Sequence, residues 1–117
     1  MQPTKEQIKE FWEWCGFRRH EDKDGYWKGC FYWHNPPNTA VWGATWLPDI
    51  DPNNLFKYAV PKLFKMGLWY KLFSDDGYHF CIIYKDFTND DVAASVVGTE
   101  DPALALFWAI YKVMEAL

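Results

Sequence analysis

The sequence lacks the patterns that usually mark a disulfide framework, a phosphate site or a membrane span. Its three cysteines, Cys15, Cys30 and Cys81, are odd in number and widely spaced. That usage disfavours a disulfide framework and fits a reducing cytoplasm. Glycine-rich phosphate loops and apolar runs of membrane-spanning length are missing. The first residues are polar, so we expect no signal peptide.

An excess of basic residues is also lacking. The formal net charge is −4 and the isoelectric point is about 5.2. Bulk binding to nucleic acid is therefore disfavoured, because contact with phosphates needs a basic surface. A local basic patch remains compatible with this balance.

Apolar and aromatic residues are abundant instead. Half of the 117 residues are hydrophobic and 21% are aromatic, which is enough material for a compact core. We expect a single α+β domain over residues 1–117.

The most strongly patterned stretch is a predicted C-terminal helix over residues 101–117. Asp101 suits the N-cap, and Pro102 suits the first helical position. The helical period places a set of apolar residues on one face: Ala103, Leu106, Phe107, Ile110, Val113, Met114 and Leu117. Ala105, Lys112 and Glu115 are predicted on the opposite face.

Earlier segments predict two more helices and two groups of strands. A first helix is expected over residues 4–15, and strands over residues 17–20, 26–33 and 39–46. After a second helix, further strands are expected over residues 68–73, 78–84 and 92–97. The resulting order, α-β-β-β-α-β-β-β-α, predicts a largely antiparallel sheet with helices packed against it.

The second helix is predicted from Asp51 to about Lys65, with Gly67 as its terminator. Its expected inner face comprises Leu55, Phe56, Ala59, Val60, Leu63, Phe64 and Met66. Lys57, Lys62 and Lys65 lie opposite. Pro61 falls on the lysine side, where we expect it to bend the helix, with the carbonyl of Lys57 bonded to water.

Two stretches carry a resemblance to a known family. They are Trp46-Leu-Pro-Asp-Ile-Asp51, with the helix through Tyr58-Ala-Val-Pro-Lys-Leu63, and Val97-Gly-Thr-Glu-Asp-Pro-Ala-Leu-Ala-Leu106. In these stretches the chain resembles the phage ABA sandwich domain proteins, which are small proteins of bacteriophages and prophages. The similarity runs over roughly residues 10–117; Pro61 and the Trp-rich residues 31–46 depart from it. The resemblance implies an α/β/α layering, a phage origin and a location in the host cytoplasm, and it implies no activity.

Motifs for chemistry are weak, so no metal, cofactor or enzymatic activity is predicted. Residues 22–25 look like the start of a calcium loop, but Trp33 occupies the position that needs a glutamate. Cys30 with His34 and His79 with Cys81 are the nearest approach to metal pairs, and zinc sites usually have tighter pairs. Asp75, Asp76, Asp90 and Asp91 are expected in turns.

Tryptophan is the most unusual feature, with eight residues beside seven Tyr and nine Phe. Trp12 belongs to the core face of the first helix, whereas Trp108 falls beside Lys112 and Glu115. Exposed aromatic residues are favoured at interfaces and on stacking platforms. The candidate binding residues are Trp108, Trp42, Trp46, Trp33, Lys57, Lys62 and Lys65, against the alternative that the rings are covered and the lysines are simply solvated.

Two functions follow from these candidates. The first is a non-enzymatic protein that binds a host protein, such as a defence component, or a second copy of itself. The alternative is a binder of a small anionic, nucleotide-like ligand, which would use stacked rings and basic residues. A flat exposed aromatic patch would favour the first, and an aromatic-lined cavity with convergent polar groups would favour the second.

Overall fold

The computed structural model describes residues 2–21, 31–35, 40–41, 47–85 and 92–117. They form two compact units, one of Lys5–Pro48 and one of Met1–Thr4 with Asp49–Leu117. The expectation of one domain over residues 1–117 stays a prediction.

The smaller unit contains helix α1 (Lys5–Trp14) and a three-stranded antiparallel sheet. The strands are β1 (Arg18–Glu21), β2 (Phe31–Asn35) and β3 (Ala40–Val41). Residues 22–25, and most of the predicted strands 26–33 and 39–46, lie outside the described residues.

Helix α1 ends in a Schellman motif that carries part of this unit's core. Gly16 has a φ of 114°, and the N–H of Phe17 donates to the carbonyl of Trp12 over 3.0 Å. The Trp12 and Phe17 rings meet edge to face at 5.5 Å, and neither has exposed surface. The Trp12 indole N–H donates to the Pro48 carbonyl at 2.9 Å, which satisfies its polar atom. The prediction that Trp12 lies in the core is confirmed.

The larger unit contains a second antiparallel sheet, in the order β4 (Trp69–Asp75), β5 (Tyr78–Tyr84) and β6 (Val92–Thr99). Asp76 and Gly77 join β4 to β5, with φ angles of 52° and 81°. Two consecutive positive φ values are typical of a type I′ turn, whose twist matches that of a hairpin. The turn fixes the register, with Phe73 opposite Phe80 and Leu72 opposite Cys81.

Helix α4 (Pro102–Glu115) contacts β5 and β6 and also the helical segment around residue 57. Its N-cap is Asp101, whose carboxylate accepts from the N–H of Ala103 at 2.8 Å, as predicted. Because α4 packs on two sides, its buried surface is wider than the single face expected. Ala105, predicted on the outer side, is fully buried, whereas Leu117, predicted on the inner face, is 77% exposed.

The second helix is continuous over residues 52–65, but it changes its hydrogen-bonding pattern twice. It consists of α2 (Pro52–Asn54), a π-helical segment (Leu55–Ala59) and α3 (Val60–Lys65). The N–H of Val60 donates to the carbonyl of Leu55, five residues back. Pro61 therefore stands in the first turn of α3, where a missing N–H costs little. This arrangement, rather than a bend within a regular helix, accommodates the proline.

The π-helical segment also changes which side chains line up. In a regular α-helix, residues eight apart point ~80° apart. A π turn contains one residue more than an α turn. Eight residues that include it therefore rotate about the helix axis by as much as seven residues of a regular α-helix, so the two side chains point within ~20° of each other. Burial agrees, since Leu55 and Leu63 are both fully buried. Phe56 and Phe64, the next pair, are both exposed.

The predicted inner face of this helix is therefore partly wrong. Leu55, Ala59, Val60 and Leu63 are buried as expected, while Phe56, Phe64 and Met66 are exposed by 42%, 51% and 37%. The helical wheel assumed a constant 3.6-residue period, which the π-helical segment breaks. Gly67 ends the helix as predicted, with a φ of 77° and a Schellman bond from the N–H of Leu68 to the carbonyl of Leu63.

The class prediction is confirmed: the protein is α+β, its described strand pairs are antiparallel, and the element order is the expected one. The α/β/α layering stays a prediction. No helix within the described residues is both long and apolar enough to cross a membrane.

We predict that Pro61→Ala changes stability little. Removing a proline from the middle of a regular helix should stabilise it by about 3 kcal/mol. At the first turn of α3 the change should instead destabilise slightly, by less than ~1 kcal/mol, because the unfolded chain gains freedom. Urea unfolding of both proteins measures the difference. A gain of several kcal/mol would contradict the role assigned to the π-helical segment.

Candidate functional site

Exposed aromatic and lysine side chains gather around strand β4. We call them the aromatic–lysine surface: Phe56, Lys57, Phe64, Lys65, Trp69, Lys71 and Phe73. Each is exposed, with Trp69 at 46% and Phe73 at 39%. The four aromatic rings are large apolar groups whose exposure is informative, because soluble proteins rarely expose contiguous apolar patches without a use for them.

Strand alternation explains why β4 contributes to this surface. Trp69, Lys71 and Phe73 lie on one face of the strand, since successive side chains point to opposite sides. Tyr70 and Leu72 point to the other face, opposite Ile83 and Cys81 of β5. Cys81 and Ile83 have no exposed surface, so we call theirs the inner face and that of Trp69 the outer face.

Ring contacts connect the second helix to β4. Phe56 lies 5.9 Å from Tyr70, and Phe64 lies 5.9 Å from Trp69 and 6.2 Å from Tyr70, measured between ring centroids. Phe56 and Phe64 can both reach Tyr70 because the π-helical segment brings them onto one line. The rings therefore flank β4 on both of its faces.

Phe73 contacts two neighbouring side chains through its ring, although 39% of the residue is exposed. The Phe80 ring stacks on it from β5 at 5.2 Å with an angle of 11°. The Lys71 Nζ lies 5.8 Å from its centroid, within cation–π range. These contacts fix the orientation of the ring and leave part of its surface exposed.

Positive charge is concentrated in the same part of the chain. Between residues 52 and 74 the sequence has four lysines, at positions 57, 62, 65 and 71, and no aspartate or glutamate. The chain as a whole has a net charge of −4. Asp49 and Asp51 precede this stretch and Asp75 and Asp76 follow it, so the excess of lysines is confined to the helix and to β4 as far as Phe73.

The predicted site residues divide into three groups. Lys57 and Lys65 are exposed and Lys62 is half-buried, so the predicted lysine side of the helix is part of the candidate surface. Trp42 and Trp46 lie outside the described residues. Trp33 is 5% exposed, so its ring is not on the surface and we remove it from the site.

Trp108, the remaining candidate, is half-buried on α4. Its ring meets those of Phe107 and Tyr111 edge to face, at 5.0 Å and 5.6 Å. These contacts make it part of an aromatic cluster on α4, in which most of its surface is packed. It is a weaker candidate for contact with a partner than Trp69.

Sequence reasoning missed Phe56, Phe64 and Phe73. The wheel placed the first two in the core, and Phe73 was treated as an ordinary strand residue. The signal for Phe73 was the alternation Trp69, Lys71, Phe73, because a lysine between two rings at every second position indicates an exposed face. The signal for Phe56 and Phe64 was Pro61, whose presence is hard to reconcile with a regular helix.

Two cavities of ligand size border the described residues, and neither resembles a nucleotide site. One of about 520 Å³ is lined by Met66, Leu68, Lys85, Val92, Ala93, Val113, Ala116 and Leu117, and these residues offer no ring. The other, of about 490 Å³, is lined by Gln2, Tyr78, Gly98, Thr99, Glu100, Asp101 and Leu104. Its two carboxylates would repel a phosphate.

Two groups on the inner face of the sheet have displaced pKa values, both in the direction that keeps them neutral. Burial raises the pKa of the Cys81 thiol to about 12. Burial also raises the pKa of Tyr70, and the nearby Cys81 adds to the effect. A nucleophilic cysteine needs a lowered pKa, so this thiol is suited to packing. His79 lies on the same face of the strand, and the described residues contain no group of three or more His, Cys, Asp or Glu that could hold a metal ion.

Comparisons with known proteins found no similar chain: no family model matches, and neither the curated proteins nor the solved structures include a match. The resemblance to the phage family therefore stays an expectation. The case for a function depends on the geometry of the aromatic–lysine surface.

We predict that Cys81 lowers stability at alkaline pH. Its thiol loses a proton near pH 9 in the unfolded chain and near pH 12 in the folded one. Between these values the unfolded state binds fewer protons, so the free energy of unfolding falls as the pH rises, by at most ~1.4 kcal/mol per pH unit.

Urea unfolding from about pH 8 to about pH 10.5 measures this loss. The Cys81→Ala variant should show a shallower decline than wild type, since all other titrating groups remain. Equal slopes in the two proteins would show that the thiol does not contribute.

Proposed function

We propose that this chain is a non-enzymatic binding protein that docks a partner protein on the aromatic–lysine surface. The observation that carries the proposal is the exposure of four large rings around β4. Phe56 and Phe64 each precede a lysine in the sequence, and Trp69 and Phe73 share a strand face with Lys71. Aromatic residues supply most of the binding energy in protein interfaces when a partner covers them.

The geometry gives less support to a small nucleotide-like ligand. Such a ligand would need an open ring face or a cavity lined with rings. Phe73 is stacked on Phe80 at an angle of 11°, and Phe64 is stacked on Tyr70 at an angle of 22°. Each ring therefore already uses part of its surface for a neighbour, and the exposed remainder suits an irregular protein surface.

An enzymatic role has little support either. The pKa values of Cys81 and Tyr70 are both displaced in the direction that favours the neutral, unreactive form. Catalytic groups are typically poised near the operating pH.

A phage origin and a location in the host cytoplasm are part of the proposal. They rest on the sequence resemblance given above, and the scattered cysteines agree with a reducing compartment. The partner would then be a host protein. The narrower idea that it belongs to a defence system has the resemblance as its sole support.

We predict that the double variant Phe64→Ser, Trp69→Ser loses its partner. Truncating an aromatic residue that is an interface hot spot costs ~2 kcal/mol or more, so the double variant should bind at least ~30-fold more weakly even when one of the two rings is the hot spot. The measurement is recovery of host proteins on immobilised wild-type and variant chains, followed by affinity measurement with the recovered protein.

Leu117→Ser serves as the control, since Leu117 is an exposed apolar residue that is not part of the surface. It should bind like wild type. Equal binding by wild type and the double variant would refute the proposal. Native mass spectrometry adds a second check, because a co-purified mass of a few hundred daltons would favour the small-ligand alternative instead.

A further inference from the structure

β4 has the position and the surroundings of a strand that pairs with another strand. It is the first strand in the order β4-β5-β6, so one of its sides pairs with no other strand within the described residues. The backbone N–H and C=O groups on that side form a template for strand addition. Native proteins often protect such an edge with charged side chains, and lysine is the usual choice.

A protective role alone does not account for what surrounds this edge. Lys71 is one charge among exposed rings, with Trp69 and Phe73 on the same face of the strand. Phe56 and Phe64 approach the inner face through Tyr70. A segment added beside β4 would lie ~4.8 Å away, and its side chains would alternate between these two sets of rings.

The charge around the edge specifies the kind of segment that fits. Lys57, Lys65 and Lys71 are exposed, and the carboxylate of β4, Asp75, lies at the hairpin end of the strand, beyond Phe73. Along β4, residues on one face recur about every 7 Å. A segment with carboxylates and apolar side chains would therefore match Lys71 and its two flanking rings.

From this arrangement we infer that β4 receives an extended acidic segment of a partner protein by strand addition. The inference rests on the proposed function and names the chemistry and the binding mode of the partner. Backbone hydrogen bonds along β4 hold the segment, the rings cover its apolar residues, and the lysines select its acidic ones.

A peptide selection tests the inference without knowledge of the partner. A random library of 12-residue peptides is selected on the wild-type chain, and separately on the double variant Phe64→Ser, Trp69→Ser. We expect wild type to enrich peptides rich in aspartate or glutamate interspersed with apolar residues. A synthetic consensus peptide should then lose at least 10-fold in affinity on Lys65→Glu, Lys71→Glu, and little on the control Lys5→Glu, which is exposed in the other unit.

The binding mode has its own test with the consensus peptide. N-methylation at every second residue removes the hydrogen bonds that an added strand makes through alternate residues. Two peptides are compared, one methylated at its odd positions and the other at its even positions. One of these phases should bind at least 10-fold more weakly than the unmodified peptide, and the other should bind nearly as well. Equal effects of both phases would overturn strand addition.

The outcomes also separate this inference from the proposed function. Enriched peptides without an excess of acidic residues would overturn the acidic partner and leave protein binding in place. Identical enrichment on wild type and the Phe64→Ser, Trp69→Ser variant would overturn the proposed function as well. Tighter binding of a 12-residue thymidine oligonucleotide than of the consensus peptide would identify nucleic acid as the ligand and overturn both.

Discussion

The constraint on which the candidate surface depends is the proline at position 61. Its ring and missing N–H are incompatible with the interior of an α-helix. The π-helical segment (Leu55–Ala59) absorbs one residue before it, and α3 then begins with the proline in its first turn. Because of that extra residue, three pairs spaced by eight residues align: a buried leucine pair, an exposed phenylalanine pair and an exposed lysine pair. Without it, Phe56 and Phe64 would diverge by ~80°.

This alignment connects the fold to the proposed binding activity. The leucine pair anchors the helix in the core, and the phenylalanine pair reaches Tyr70 at the start of β4. On the far face of the same strand, Trp69 and Phe73 stand on either side of Lys71. The hairpin register set by the Asp76–Gly77 turn keeps those three residues outward while Cys81 and Ile83 stay buried. Helix and hairpin thus contribute adjacent parts of one aromatic and basic surface.

Much of the architecture could be predicted from local sequence signals, because caps and turns act over a few residues. Asp51, Asp101, Gly67 and the Asp-Gly turn all lie where their chemistry placed them. The predictions that depended on burial were less successful. Ala105 and Phe56 were assigned to the wrong sides, since burial depends on what packs against a helix and on whether its period is regular. Trp33 shows the same limit, because a strand residue's exposure is decided by distant elements that a sequence pattern does not contain.

The alternation along β4 has a consequence for how the protein can evolve. Core and surface positions are interleaved on one strand, because neighbouring side chains face opposite ways. Tyr70 and Leu72 are constrained by packing on the inner face. Positions 69, 71 and 73 carry less of that constraint, although Trp69 still contacts Phe64 and Phe73 still stacks on Phe80. Substitutions at these exposed positions, and at Lys71 above all, can therefore accumulate while the packing of the inner face stays the same.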